Sequence, residues 1–461
     1  VLTDGALPLA AGRRMTLAGL TFVTFFTACG GAFGIEPLVG AVGPGRAVVL
    51  LFVTPLVWSL PIALMVAELA TLMPEEGGYY VWVRETLGPF WGVQAAWWSL
   101  GYSALLLAIW PVLFVSYLDY LVPWVAHSGP WVRWLIAVLV IVSAIAVNLH
   151  GARGVARSAQ LGAVLVLGVF LLLVVTWLLV GPGPRGSLAV VTRDLGDVHH
   201  GALLLGLSIL ILNYSGWDSV STYASEVDRP RRTYPLALGG ALLMTIMAYT
   251  LPVIAGVSVT SDPAVWSAEA GWPAIAGLMG GHWLGLILAA AGLASTWGLF
   301  DAQLLYVSRI PFVMAQDGWL PPSLAQAQSD TAVPRRALIG FAIVVALLAT
   351  LSFGNLVVML CLLYTATLVL ELLALIVLRI RHPQAVRPFR IPGGIAGLIY
   401  VCVAPLVVAG LVISATLRDG GTYGLQLGIV AAIVVAGIAL YAARYRHAAA
   451  LRTNRAVAVR V

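Results

Sequence analysis

The chain alternates long apolar runs with short stretches rich in Gly, Pro and Arg, and the lengths of the runs set its class. Apolar runs near 15–41, 46–73, 89–122, 131–149, 158–180 and 200–226 are followed by six more near 234–258, 281–316, 335–353, 355–380, 396–417 and 422–444. A helix needs about 20 apolar residues to cross a bilayer, and the longer runs must tilt, break or protrude. The pattern predicts an all-α polytopic membrane protein with twelve transmembrane helices (spans 1–12), flanked by tails at 1–14 and 445–461.

Two spans are interrupted near their middle. Span 1 reads Ala28-Cys29-Gly30-Gly31-Ala32-Phe33-Gly34, and span 6 reads Asn213-Tyr214-Ser215-Gly216-Trp217-Asp218-Ser219, a polar stretch inside an apolar run. Each Gly lowers helix stability by about 1 kcal/mol relative to Ala. Unwound backbone is tolerated at membrane depth only where it is buried in protein or lines a cavity. The interruptions lie five spans apart. That spacing suits two five-helix units, 15–180 and 200–380, related by inverted topology, with a substrate held between paired broken helices. Spans 11 and 12 (396–444) then trail the repeat. Close helix packing at Gly30 and Gly31 would account for span 1 alone, but not for the matching break in span 6.

Composition and charge sharpen this picture. Of 461 residues, 61% are hydrophobic and 10% charged, against roughly 25% charged in soluble domains, so a separate soluble catalytic domain has no room. All 25 basic residues are Arg, and a P-loop, which requires Lys, cannot be built. With the N-terminus inside, twenty Arg fall in inner segments. Five (Arg46, Arg133, Arg185, Arg193 and Arg418) fall in outer ones. The positive-inside rule then places both termini in the cytoplasm, with the chain in the cytoplasmic membrane. The net charge of +6 therefore reads as topology, not as a nucleic-acid surface. Cys29, Cys361 and Cys402 all sit in apolar segments, which indicates neither a disulfide framework nor a zinc site. His199 and His200 read as a solvated pair, and no removable signal peptide is expected.

Several motifs resemble the amino acid–polyamine–organocation transporters. Ala67-Glu68-Leu69-Ala70, Pro74, Gly77-Gly78-Tyr79 and Gly88-Pro89-Phe90-Trp91-Gly92 resemble that family's connection between spans 2 and 3. Glu226 through Pro235 resembles its connection between spans 6 and 7. A narrower resemblance is to the polyamine-uptake branch, the polyamine:proton symporters among the L-type amino acid transporter-like members. It rests on Gly30-Gly31-Ala32-Phe33-Gly34-Ile35-Glu36, Trp110-Pro111-Val112-Leu113-Phe114, Trp217-Asp218-Ser219, Leu363-Tyr364 and Leu370-Glu371. It implies a LeuT-like fold with a 5+5 inverted repeat and proton-coupled import of putrescine or spermidine. The chain also departs from that branch: the acid expected midway along span 3 aligns near Leu106 or Leu107, and another aligns with Ser116. Fewer acids suit a less charged cation or an amino acid.

A charge at the bilayer centre costs roughly 2.5–3.5 kcal/mol on insertion scales, so each deep acid needs a reason. Asp218 falls in the span 6 break, where it can bind substrate or proton, or cap freed N–H groups. Glu36 follows the span 1 break, as a cation receiver or as the dipole partner of the outer half-helix. Glu371 in span 10 and Asp301 in span 8 join Asp218 as proton-coupling candidates. Asp119 reads as interfacial, and Glu68 and Glu226 as partners of nearby Arg. An ammonium over an aromatic ring gains about 0.5–2 kcal/mol, which brings in Phe33, Tyr102, Trp217 and Tyr364. With Gly30, Gly31, Ala32 and Asn213 these complete the candidate substrate site. Neither a metal site nor a cofactor is expected beyond a proton gradient, and a sodium site stays open. Span 5 holds no charged residue (158–180), whereas some proton-coupled amino acid carriers of the family place a Lys there.

The expected function is secondary active import of an organic cation by alternating access. An amino acid transporter or exchanger is the alternative, with the substrate carboxylate on the N–H groups of Gly30–Phe33. A channel and a membrane-embedded enzyme fit less well, since no His falls in a deep apolar span. The expected partners are the lipid bilayer and a small organic cation or amino acid. Nucleic acid is not among them, nor is a disulfide-linked heavy chain, because 123–131 lacks Cys. A monomer or weak homodimer is expected.

Overall fold

Glycine decides where the first span stops being a helix. In the computed structural model, α1 (Leu17–Ala28) is capped by Thr16, whose side chain accepts from Gly19 N at 3.2 Å. The chain then unwinds through Gly30, Gly31 and Gly34, at φ of 61°, 93° and 86°, before α2 (Glu36–Val42) resumes. Positive φ is costly for any residue with a Cβ. At Gly31 a Cβ would also lie 2.1 Å from Val166 Cγ1. The structure describes residues 16–73, 78–149, 152–181, 183, 200–218, 221, 227, 229–267, 271–307, 309–326, 335–418 and 420–458. The expectations placed on the 1–14 tail, Pro74, Gly77, His199, Ser219, Glu226, Asp228 and the second half of span 6 lie outside these residues.

The remaining elements follow the apolar runs closely. They are α3 (Pro44–Thr54), α4 (Leu60–Leu72), α5 (Tyr79–Leu87), α6 (Pro89–Leu121), α7 (Pro123–Ala126), α8 (Pro130–Leu149) and α9 (Ala152–Val180). Then come α10 (His200–Asn213), α11 (Pro230–Val259), α12 (Pro263–Ser267), α13 (Gly271–Gly280), α14 (His282–Val307) and α15 (Arg309–Gln316). The last are α16 (Arg335–Leu348), α17 (Phe353–Arg381), α18 (Gly394–Arg418) and α19 (Gly420–Ala458). Among the described residues, eight helices are long and apolar enough to cross a membrane, and three shorter apolar ones lie at Leu17–Phe26, Val164–Val180 and Ala202–Asn213.

The pattern missed the connections. α5, α12 and α13 fold within segments read as loops. Span 6, by contrast, stops as a helix at Asn213, where the sequence marks its interruption. The final helix continues past 444, to Ala458.

Span 2 widens into a π-turn at Pro55–Ser59, between α3 and α4. Pro55 has no N–H to give Leu51 O, the acceptor one helical turn earlier. Tyr214 Oη donates to that carbonyl instead, at 3.0 Å. Trp58 Nε1 donates to Ser215 Oγ at 3.2 Å and Ser59 Oγ to Tyr214 O at 3.1 Å. The wide turn of span 2 therefore grips the break of span 6.

The two ends of the bundle differ. At the Arg-rich end Glu68, fully buried on α4, receives Arg379 Nε and Nη2 at 2.8 and 2.5 Å, Ile391 N at 2.9 Å, and an Arg387 ion pair at 3.2 Å. Asp317 accepts from Tyr80 Oη at 2.6 Å and from Arg84 Nη1 at 3.3 Å. Burial, then the Asp317 charge, pushes the Tyr80 hydroxyl pKa above its ordinary value, so it stays a donor there. At the opposite end α12 and α13 cover α2: Trp266 and Trp272 pack edge to face, and Gly271 lies against Glu36. There Asp119 binds Arg133 Nη1 through both oxygens, at 2.7 and 2.8 Å.

Tyr249 on α11 stands between the two breaks, its hydroxyl 2.9 Å from Cys29 O and 2.8 Å from Asn213 O. One proton serves two carbonyls that the unwinding has freed. Tyr249→Phe leaves both without that donor, and we expect a loss of about 1–3 kcal/mol. This would read out as a lower melting temperature in detergent, whereas a substitution on the lipid-facing side of α11, such as Leu243→Ile, would leave it nearly unchanged.

Candidate substrate cavity

A cavity opens between the two breaks and the long helices α6, α14 and α17. Span 1 contributes Ala28 and Cys29, and the span 6 break contributes Leu212, Asn213, Ser215 and Gly216. Along α6, Tyr102, Leu106 and Trp110 recur at i, i+4 and i+8, one face of a helix. From α14 come Leu299 and Gln303, and from α17 Leu360 and Tyr364.

The acidic corner of the cavity is indirect. Asp218 is 1% exposed and does not itself form the wall. Tyr102 Oη donates to one of its oxygens at 3.3 Å and Tyr364 Oη to the other at 3.1 Å. The two rings meet edge to face, with centroids 5.3 Å apart. Each hydroxyl gives its proton to the carboxylate, and its oxygen can still accept, although Gly216 also reaches Tyr364 and Tyr79 reaches Tyr102. An ammonium there would meet two tyrosine oxygens backed by a negative charge. Asn213 adds a third acceptor: its amide nitrogen donates to Ile209 O at 2.8 Å, which turns its oxygen the other way. Glu371, also 1% exposed, lies within electrostatic reach of Asp218, Tyr102 and Tyr364, and among the described residues its Oε2 has no hydrogen-bond partner.

The structure does not bring the other candidates to this wall. Gly30 and Gly31 are closed off by Leu299 and Val166. Gly30 O accepts from Ser295 Oγ at 3.1 Å, and Ala32 O from Trp272 Nε1 at 2.6 Å. Phe33 packs against Tyr117 and Phe170, with centroids 5.2 and 4.8 Å away. Glu36 is fully buried under α13. Its oxygens accept from Gly34 N at 2.7 Å and Tyr117 Oη at 2.8 Å, so it closes the break rather than facing the cavity. Trp217 is fully buried and donates to Tyr214 O at 2.8 Å, which turns its indole inward. Asp301 accepts from Asn148 Nδ2 at 2.7 Å, a contact between α14 and α8.

Trp110 and Gln303 are on the wall without having been singled out as site residues. Gln303 lies two positions after Asp301, on nearly the opposite side of α14. The acid drew attention to the face that packs on α8. A neutral amide in an apolar span was the available signal.

The chain matches the amino acid permease family over residues 16–441, and it belongs to that family of membrane transporters. It is 35% identical over 409 residues to the polyamine transporter RMV1 of Arabidopsis thaliana, covering 88% of this chain and 81% of the relative. It is also 35% identical over 418 residues to the polyamine transporter PUT1 of Oryza sativa subsp. japonica, covering 90% and 76%. An uncharacterized transporter of Mycobacterium tuberculosis is 33% identical over 291 residues, 62% of either chain.

Because Glu36 is held by Gly34 N and Tyr117 rather than facing the cavity, Glu36→Gln should act on stability. The variant is expected to lose about 1–3 kcal/mol, seen as a lower melting temperature. Its substrate KM should stay within about twofold, a change of under 1 kcal/mol. A KM raised tenfold in a folded variant would return Glu36 to the binding site.

Proposed function

We propose that this permease imports a polyamine, putrescine or spermidine, by proton-coupled alternating access. The observation that carries the reading is the corner formed by Tyr102, Tyr364 and Asp218. Three oxygen-bearing side chains from spans 3, 10 and 6 converge where an ammonium can sit, against aromatic faces that favour cations. The names of the plant relatives, similar over most of the chain, point the same way.

The architecture that suits this function has twelve spans, with 15–180 and 200–380 as LeuT-like inverted repeats and 396–444 as two trailing helices. Both termini, 1–14 and 445–461, lie in the cytoplasm, and the protein resides in the cytoplasmic membrane. Rocking of one bundle against the other requires the Glu68–Arg379 and Tyr80–Asp317 contacts to part at the cytoplasmic end. It also requires the Trp272–Ala32 contact to part at the outer end. Glu371, within electrostatic reach of Asp218 and with one oxygen that has no partner among the described residues, is the group on which a proton would travel with the substrate. Asp301, engaged by Asn148, is a weaker carrier. An amino acid carboxylate on Gly30–Phe33 fits poorly, because that segment is walled off and its carbonyls are occupied.

The test is uptake of labelled putrescine into proteoliposomes with and without an outside-acid gradient. Uptake should rise with the gradient. Asp218→Asn should abolish it, while Glu371→Gln should retain exchange and lose gradient dependence. Exchange of leucine or arginine without putrescine uptake would overturn the reading.

A further inference from the structure

The cavity has two unlike ends. Trp110 lies a little over two turns along α6 from Tyr102, on the same face, which at the helical rise is roughly 12 Å. Between them stands Leu106. The end at Tyr102 is backed by Asp218, and the end at Trp110 has no acid on its wall.

What faces the cavity at that far end is fixed by hydrogen-bond chemistry. Trp110 Nε1, which can only donate, lies 2.7 Å from Gln303 Oε1. This sets which way the carboxamide points: its oxygen turns to the indole and its NH2 turns away. Gln303 lines the cavity, is 2% exposed and, among the described residues, makes no other hydrogen bond. Its amide nitrogen is not among the polar atoms sealed off without a partner. The NH2 therefore opens on the cavity as a donor. A second ammonium placed there would set N–H groups against N–H groups, with no carboxylate to offset the charge. An uncharged acceptor such as an amide carbonyl would pair with Gln303, and its alkyl end would pack on Leu106 and Leu299.

We infer that Gln303, positioned by Trp110, is a selectivity-determining residue that favours amines charged at one end and carrying an uncharged hydrogen-bond acceptor at the other, of the class of mono-N-acylated polyamines. This rests on the polyamine reading above and narrows it. Gln303 acts on the far end of the substrate, while Tyr102, Tyr364 and Asp218 hold the near end.

The experiment is competition against labelled putrescine uptake in proteoliposomes, comparing spermidine with its mono-N-acetyl derivatives. Wild type should be inhibited at lower concentration by an acetylated form. Gln303→Glu should reverse the order, with the ratio of inhibition constants moving roughly tenfold or more, the size of a hydrogen bond to a charged group. Trp110→Phe frees the carboxamide to turn its oxygen into the cavity. It should move the ratio in the same direction by less, a readout that mere loss of packing would not shift. A ratio unchanged in whichever of the two variants still transports putrescine overturns the role of Gln303 and leaves polyamine transport standing. Failure of wild type to take up or be inhibited by any of these amines overturns the polyamine reading itself, and this inference with it.

Discussion

Freed backbone at membrane depth must find partners, and in this chain that constraint assigns most of the polar side chains. Without water, an unpaired N–H or C=O costs several kcal/mol. The two breaks release a run of carbonyls, and neighbouring elements reach in to meet them. Tyr249 lies between Cys29 O and Asn213 O, Ser295 meets Gly30 O, Trp272 meets Ala32 O and Ser59 meets Tyr214 O. The breaks are therefore anchored to α11, α14, α13 and the wide turn of span 2. The polar groups left over after this accounting are the ones able to serve a ligand.

The same accounting separates five buried acids by their partners. Glu68 is saturated by two Arg and a backbone N–H, an arrangement in which removing one partner is more costly than the pair is stabilising. Glu36 is engaged by Gly34 N and Tyr117, and Asp301 by Asn148. Asp218 differs because the groups donating to it, Tyr102 and Tyr364, are also cavity wall. Glu371 differs again, with one oxygen that has no partner among the described residues, within electrostatic reach of Asp218. Under the proposed function, these two are the acids whose surroundings leave something to bind.

How far the sequence was legible follows from which interactions are local. Run length marked the membrane helices, and the Gly cluster at 30–34 and the polar cluster at 213–219 marked the breaks. Asp218, Tyr102, Tyr364 and Asn213 could be nominated because polar or aromatic residues at mid-span stand out against apolar neighbours. Side-chain direction could not be read in the same way. Phe33 and Trp217 belong to the breaks by position, yet their rings turn into packing with Tyr117 and Phe170 or toward Tyr214 O. Gln303 escaped notice because its importance depends on Trp110, nearly two hundred residues away in the chain and 2.7 Å away in space. The connecting helices α5, α12 and α13 are too short for their pattern to rise above that of a loop.

The central claim is that the substrate ammonium sits at the corner of Tyr102, Tyr364 and Asp218. It is tested most directly by an experimental structure of the protein with spermidine bound. The account predicts one nitrogen within hydrogen-bond reach of the Tyr102 and Tyr364 hydroxyls and of Asn213 Oδ1, and the chain extending toward Trp110. Density for the amine against Glu36 beneath α13, with the cavity between the breaks unoccupied, would contradict it.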